Sequence, residues 1–192
     1  MSNSRSGSVL SIVFVMITNI AMLAVEPISP SWGPAVNQLR IGIGVVSNSS
    51  DIWVCFENVS ETDIVINLGI TLANGKTHFP TALALTVTDS EGKTNRFRYA
   101  PPAAGIAGRV DPFVVPLPAR AVYQIRCPLK SFIQNDPSKW PGSMTPGRYR
   151  LAVGFVGKPV NKTETNSDMA GLSLMPYLSG EVSSGESLIS IR

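Results

Sequence analysis

Hydrophobic and polar residues alternate along much of this chain, most regularly over residues 64–72 (IVINLGITL). A β-strand points successive side chains to opposite faces, whereas a helix requires apolar residues three and four positions apart. Residues 64–72 are therefore predicted to be a strand. Its buried face is expected to consist of Ile64, Ile66, Leu68, Ile70 and Leu72.

The segment before this strand, residues 52–59, shows a similar pattern and is predicted to be its partner across a short polar turn. We expect these two strands to form the opening pair of a sheet. The dipeptide Asn74-Gly75 follows at once and supplies the strongest short hairpin signal available.

Further alternating segments, separated by turn residues, extend to the end of the chain. They are Leu39–Val45, Leu83–Thr88, Thr94–Tyr99 and residues 121–129, 148–156 and 188–191, with residues 113–117 as an edge strand because Pro116 lacks an amide donor. About seven to nine short strands predict an all-β fold, an antiparallel two-sheet sandwich of the immunoglobulin or fibronectin type III kind.

Residues 1–25 are typical of an export signal or a hydrophobic N-terminal helix. Arg5 is their only charge, and the apolar run over residues 9–25 is as long as a signal core and at the lower limit for a membrane span. Two alternatives remain: cleavage near Ala24, for which Met22 is a large neighbour, or retention as an anchor. Both predict an exported protein, periplasmic or secreted, that touches the membrane only through residues 9–25 if these are kept.

The remainder of the chain is predicted to be a linker followed by one domain. Residues 26–36 are rich in Pro and Ser, and Trp32 among them could anchor the linker onto the domain. Residues 37–192 are predicted to form the β-sandwich, with an irregular segment near residues 157–187.

Composition argues against two broad classes of protein. Hydrophobic residues make up 44% of the chain, enough for a packed core, so a disordered chain is not expected. The 16 basic and 13 acidic residues give a formal charge of only +3, too balanced to favour nucleic acid as a partner.

The chain has two cysteines, Cys55 and Cys127, and export would permit a disulfide between them. The alternation places Cys55 on the face of Trp53 and Glu57, whereas Cys127 shares an inward face with Tyr123. The two sulfurs are therefore expected to point to different faces, which favours two buried thiols over a bridge.

Few residues are arranged for catalysis. His78 is the only histidine, and no nucleophile motif accompanies it, so we expect a loop residue packed near Phe79. Glu57, Glu61 and Asp63 leave a hydrolase open as an alternative, although polar strand ends explain them more simply. One histidine and two distant cysteines are too few for zinc, and no catalytic, metal or cofactor-binding residue is assigned.

Four arginines alternate outward from two predicted strands. Arg96 and Arg98 lie on one strand, and Arg148 and Arg150 lie on the other. They could form a cationic strip for a polyanion or an acidic partner, and a solvated sheet face is the simpler explanation.

Four phrases, FENVSETDIVINLG, TALALTVTDSEGK, VPLPARAVYQIRCPL and TPGRYRLAVGF, lie within residues 36–156. With their short motifs at residues 56–60, 88–93 and 146–151, they resemble bacterial exported immunoglobulin-like domains of the intracellular proteinase inhibitor (BsuPI) type. The resemblance implies a β-sandwich. Because that family includes many domains of unknown role, it does not by itself imply protease inhibition.

These patterns together predict an exported, non-enzymatic, immunoglobulin-like module that binds an envelope or extracellular protein or a glycan. The main alternative is an inhibitor of secreted proteases that acts through an exposed loop such as residues 105–112.

Overall fold

The computed structural model describes residues 29–45, 51–72, 77–100, 109–133, 145–160 and 175–191. Apart from one turn of 3-10 helix at Leu129–Ser131, the regular structure of these residues is β-strand, and the paired strands are antiparallel. The predicted all-β architecture is confirmed. The predicted signal or hydrophobic helix at residues 1–25 lies outside the described residues, and no helix within them is long and apolar enough to span a membrane.

The strands are named here in chain order. They are β1 (Ser31–Trp32), β2 (Leu39–Val45), β3 (Asp51–Asn58), β4 (Ile64–Leu72), β5 (His78–Phe79), β6 (Leu83–Thr88), β7 (Thr94–Tyr99), β8 (Val110–Leu117), β9 (Val122–Pro128), β10 (Phe132–Ile133), β11 (Gly147–Gly157), β12 (Gly180–Ser183) and β13 (Ser187–Ile191). Strands β2, β6 and β7 have the predicted bounds.

The strands form three sheets, where the alternation predicted two. The first sheet has the order β1-β2-β3-β9, and the third has the order β5-β4-β8. The second sheet has the order β10-β7-β6-β11. On the far side of β11, β13 pairs with its first half and β12 pairs with its second half. As predicted from Pro116, β8 is an edge strand.

One hydrophobic core joins the three sheets, so the arrangement is that of a β-sandwich with a divided layer. Phe56 of the first sheet meets Phe155 of the second edge to face, with 5.8 Å between ring centres. Ile66 and Leu68 of the third sheet are fully buried in the same cluster. At the rim, Ser187 Oγ donates to the carbonyl oxygen of Ile43 at 3.1 Å and links the first two sheets.

Strands β3 and β4 do not pair with each other, so the prediction that they form an opening pair is wrong. Strand β3 pairs with β2 and β9, whereas β4 pairs with β5 and β8. The chain turns a corner between them at residues 59–63, and the β8–β9 connection turns a second corner beside it. The paired strands β3 and β9 thus continue into the third sheet as β4 and β8.

The side chain of Asn58 holds the two corners together. It is fully buried, and its Nδ2 lies 2.7 Å from the carbonyl oxygen of Thr62, 3.1 Å from that of Leu117 and 3.1 Å from that of Pro118. Its Oδ1 accepts hydrogen bonds from the amide and the hydroxyl group of Ser60 at 3.0 and 2.7 Å. One buried amide therefore links backbone groups of both corners, in addition to the hydrogen bonds that Thr62 and Pro118 accept from the Ser60 hydroxyl and the Ala121 amide.

A β-bulge interrupts β4 between Asn67 and Gly69, and it changes the predicted buried face. Ile64, Ile66 and Leu68 are buried, but Ile70 and Leu72 beyond the bulge are only half-buried. The extra residue shifts the side-chain alternation relative to β8, so the continuous apolar stripe of the sequence does not stay on one face.

Two segments predicted to be irregular contribute strands. Ser31 and Trp32, within the expected linker, pair with β2, and the amide of Gly185 donates to the Ser31 carbonyl oxygen at 3.1 Å. β1 therefore closes one side of the sandwich between the first and second sheets. Strand β12 lies within the expected irregular segment, and its pairing with β11 rather than any alternation of its own makes it a strand.

We predict that Asn58→Asp destabilises the fold as strongly as Asn58→Ala, by about 2 kcal/mol or more, because both remove the buried amide donor that joins the two corners. Asp has nearly the size of Asn, so this variant separates lost hydrogen bonding from lost volume. Ser60→Ala removes one donor from the cluster and should cost about 1 kcal/mol. Urea unfolding measures all three, and an Asn58→Asp protein as stable as the parent would contradict the corner's role.

The bulge in β4 makes a second prediction. Gly69 has φ 137°, and a Cβ there would lie 2.4 Å from the carbonyl oxygen of Phe79. Gly92 also has a positive φ, 85°, but a Cβ there would meet nothing within 4 Å. Gly92→Ala should therefore cost about 1 kcal/mol from backbone strain alone, and Gly69→Ala should cost about 3 kcal/mol or more. Equal losses in thermal or urea unfolding would contradict the close backbone approach at Gly69.

Candidate binding site

A cleft of about 420 Å³ opens where strands of all three sheets meet. Strand β9 forms one wall, β5 and β8 form another, and β7 contributes the floor. We call this space the aromatic cleft; its lining residues are Thr77, His78, Pro80, Tyr99, Phe113, Tyr123, Gln124, Ile125 and Arg126. Its volume lies within the range of ligand pockets, and both aromatic and polar residues line it.

The aromatic rings around the cleft are held in place by ring-to-ring contacts. His78 is exposed, and its ring centre lies 4.5 Å from that of Phe113. Tyr99 packs edge to face on Phe132 at 5.2 Å, and Tyr123 lies 6.3 Å from Phe56 of the core. These contacts fix the walls of the cleft before any ligand enters.

The polar groups of the cleft are suited to hydrogen bonding. Burial raises the pKa of Tyr99 and of Tyr123, so both phenols stay neutral at physiological pH. The Nε of Arg126 lies 2.5 Å from Asp51 Oδ2, yet the arginine side chain remains 61% exposed. The two phenols and the imidazole of His78 offer donors and acceptors inside the cleft, whereas the side chains of Gln124 and Arg126 lie at its rim on the outer face of the first sheet.

A second cleft, of about 470 Å³, lies near Asp63 and between the turn at Asn37 and Gln38 and residues 176–179. Nδ2 of Asn37 donates to the carbonyl oxygen of Ser179 at 2.9 Å across it. Tyr177 is the one aromatic residue among its described lining residues, so it lacks a set of packed rings like that of the aromatic cleft. We therefore take the aromatic cleft as the candidate site.

The three acidic residues considered for hydrolysis each have a structural partner. Glu57 lies 2.5 Å from Nε of Arg40, and Asp63 accepts a hydrogen bond from the amide of Ala119 at 2.9 Å. Glu61 pairs with Arg120 of the neighbouring corner, and hydrogen bonding from that guanidinium lowers the pKa of the Glu61 carboxyl group. Glu61 and Asp63 thus tie the β3–β4 corner to the β8–β9 corner.

The four arginines lie on the outer face of the second sheet, as the alternation predicts, but acidic residues interrupt the strip. Arg96 reaches across β6 and β11 to Glu181 at 2.8 Å, and Arg150 lies 3.4 Å from Glu186. Arg98 and Arg148 form no ion pair within the described part of the chain. They are two strands apart and in different rows of the sheet, so the four side chains do not form one continuous cationic site.

The two cysteines are free and buried, and they face opposite sides of the first sheet. Cys127 is paired with Ile52 and belongs to the core, whereas Cys55 is paired with Gly42 and Gln124 on the outer face. The predicted difference in facing is confirmed by this register. Burial raises the pKa of Cys55 to about 11 and that of Cys127 to about 12.

Residues 105–108, half of the loop considered for protease inhibition, lie outside the described residues. Val110, Asp111 and Pro112 at its end belong to β8 and pair with β4. Within the described residues, no three histidine, cysteine or acidic side chains come together as a metal site.

A scan against protein-family models gives no match to this chain, and a comparison with curated proteins gives none either.

Sequence reasoning did not identify the aromatic cleft. Alternation predicts that Tyr123 faces inward, and His78 is expected to pack near Phe79; in the structure Tyr123 and Ile125 pack partly against the core and also line the cleft, and His78 lies against Phe113. Alternation shows which face of a strand is apolar, but it does not show that a divided layer leaves part of that face open. The signal present in the sequence is the recurrence of aromatic residues, Tyr99, Phe113 and Tyr123, on three successive strands that meet at the cleft.

The Trp32 ring packs on the outer face of the first sheet, in the row that contains Cys55, and the reactivity of this thiol tests that packing. The Trp32 ring lies on Gly42, where a Cβ would be 2.9 Å from the ring, and Cys55 is the next residue in that row. The guanidinium of Arg40 lies over the Trp32 ring, 4.8 Å from its centre. We expect both cysteines of the parent to resist alkylation at pH 8, because the reactive thiolate is scarce and shielded.

The Trp32→Ala variant should become reactive at Cys55 while Cys127 remains protected as an internal control. Peptide mapping after iodoacetamide treatment distinguishes the two thiols. Equally faster alkylation of both cysteines would show general unfolding. Unchanged alkylation of Cys55 would mean that Trp32 does not shield this thiol.

Proposed function

We propose that this chain is an exported, non-catalytic, immunoglobulin-like interaction module that binds a partner protein at the aromatic cleft. The observation that carries the proposal is the cleft itself: three sheets converge there on rings already fixed by packing. A preformed apolar space with a few convergent polar groups is the usual form of a binding site.

Two further observations support a binding role. The carboxylates of Glu57, Glu61 and Asp63 are engaged in contacts that hold strands and corners together. The exposed imidazole of His78 stacks on Phe113 within the cleft, an arrangement suited to receiving a side chain. The immunoglobulin-like topology and the export of the chain are parts of the proposal and rest on the sequence phrases and the N-terminal segment.

Site-specific photocrosslinking tests the proposal in cells that produce the chain naturally. A photoreactive amino acid replaces Gln124, on the edge of β9 that borders the cleft, or, as a matched control, Glu91 in the exposed β6–β7 turn. We expect a discrete adduct from position 124, found in the envelope or the medium, and none from position 91. The adduct should weaken severalfold when His78→Ala and Phe113→Ala remove the facing wall, while the fold is checked by circular dichroism.

Adducts of equal yield from both positions would indicate non-specific contact and would overturn the proposal. So would a discrete adduct from position 124 that persists unchanged after the facing wall is removed.

A further inference from the structure

The outer edge of β9 borders the aromatic cleft. Among the described strands β9 pairs with β3 alone, whereas β1 closes the opposite side of the same sheet. An unpaired strand edge presents a row of amide and carbonyl groups that another extended chain can join.

The ladder register identifies which groups point outward from this edge. The amide of Asn58 donates to the carbonyl oxygen of Ala121, and Phe56 and Val54 are paired with Tyr123 and Ile125. In an antiparallel ladder, hydrogen-bonded pairs alternate with pairs that are not hydrogen-bonded. The backbone groups of Tyr123 and Ile125 therefore face β3, and those of Val122, Gln124 and Arg126 point away from it.

The side chains near this edge define what an added strand would meet. Those of Tyr123 and Ile125 are half-buried towards the cleft, opposite His78 and Phe113. Those of Val122, Gln124 and Arg126 are exposed on the outer face of the sheet. Because a strand alternates between the same two faces, an added strand would direct every second side chain into the cleft.

The charge of the edge favours an acidic occupant. Arg120 is already paired with Glu61, but the guanidinium of Arg126, the one charged residue of β9, stays 61% exposed beside Asp51. A second copy of β9 contains no acidic residue to face Arg126, which disfavours a second copy of this chain. An acidic side chain opposite Arg126 would complete the set of guanidinium hydrogen bonds that Asp51 begins.

We propose that β9 accepts an extended segment of a partner protein as an added strand, with apolar side chains in the aromatic cleft and acidic side chains on the outer face. This proposal rests on the proposed function and gives it a chemical class of ligand. Main-chain hydrogen bonds to Gln124 supply affinity, and the cleft and Arg126 select the alternating pattern.

Peptides of defined pattern test the ligand class. The probe is a hexapeptide amide that alternates glutamate with phenylalanine or valine. One control has the same composition in two blocks, and another has lysine in place of glutamate. We expect the alternating acidic peptide to bind, and each control to bind at least about tenfold more weakly, the loss expected from about 1.4 kcal/mol of interaction.

Two variants at one position test the mode of binding. Gln124→Pro removes the outward amide donor, and an edge strand tolerates proline there because the donor is not part of the β3 ladder. Gln124→Ala keeps that donor and removes only the side chain. We expect Gln124→Pro to weaken binding of the alternating acidic peptide about tenfold, because an edge hydrogen bond is lost. Gln124→Ala should leave the affinity for this peptide nearly unchanged.

Titration by fluorescence or calorimetry, with unfolding curves for each variant, decides the outcome. Equal binding of the block and alternating peptides, equal affinity of the two Gln124 variants, or no binding of the alternating acidic peptide would each overturn strand addition. A crosslinked partner at position 124 together with any of these results would leave the interaction module standing and refute only the strand mechanism.

Discussion

The buried amide of Asn58 is the interaction on which the architecture depends. It contacts carbonyl groups of both corners, and one of these, on Leu117, is 59 positions away in the chain. A buried carbonyl without a donor costs more than an exposed one, since no water replaces the lost partner. Asn58 therefore stabilises the two corners, and with them the pairing of β3 with β9 and of β4 with β8, against the alternative in which β3 and β4 form a simple hairpin.

The corner also explains why the aromatic cleft exists. Strands β8 and β9 are consecutive, yet β8 pairs with β4 in the third sheet and β9 pairs with β3 in the first. The separation leaves the second edge of β9 without β8 as a neighbour and opens a gap towards His78 and Phe113. On the other side, β1 and the contact between Gly185 and Ser31 close the sandwich. The binding proposal follows from this difference between a closed side and an open one.

Local alternation was sufficient for strands whose pairing is regular, and Leu39–Val45 and Thr94–Tyr99 have the bounds it predicted. It also placed Cys55 and Cys127 on opposite faces, because strand parity is a local property. It failed at Ile70 and Leu72, because the bulge between Asn67 and Gly69 shifts the faces, and at Asn58, whose partners come from a distant strand. Pairing between distant strands is decided by the packed whole, so neither the third sheet nor the cleft could be read from alternation alone.

Amide hydrogen exchange along β9, measured residue by residue by NMR, tests the central claim most directly. The account predicts slow exchange at Tyr123, Ile125 and Cys127, whose amides face β3, and fast exchange at Val122, Gln124 and Arg126 on the open edge. Uniformly slow exchange would mean that another part of the chain already covers this edge. Uniformly fast exchange would mean that the β3–β9 ladder, and with it the corner at Asn58, does not form as described.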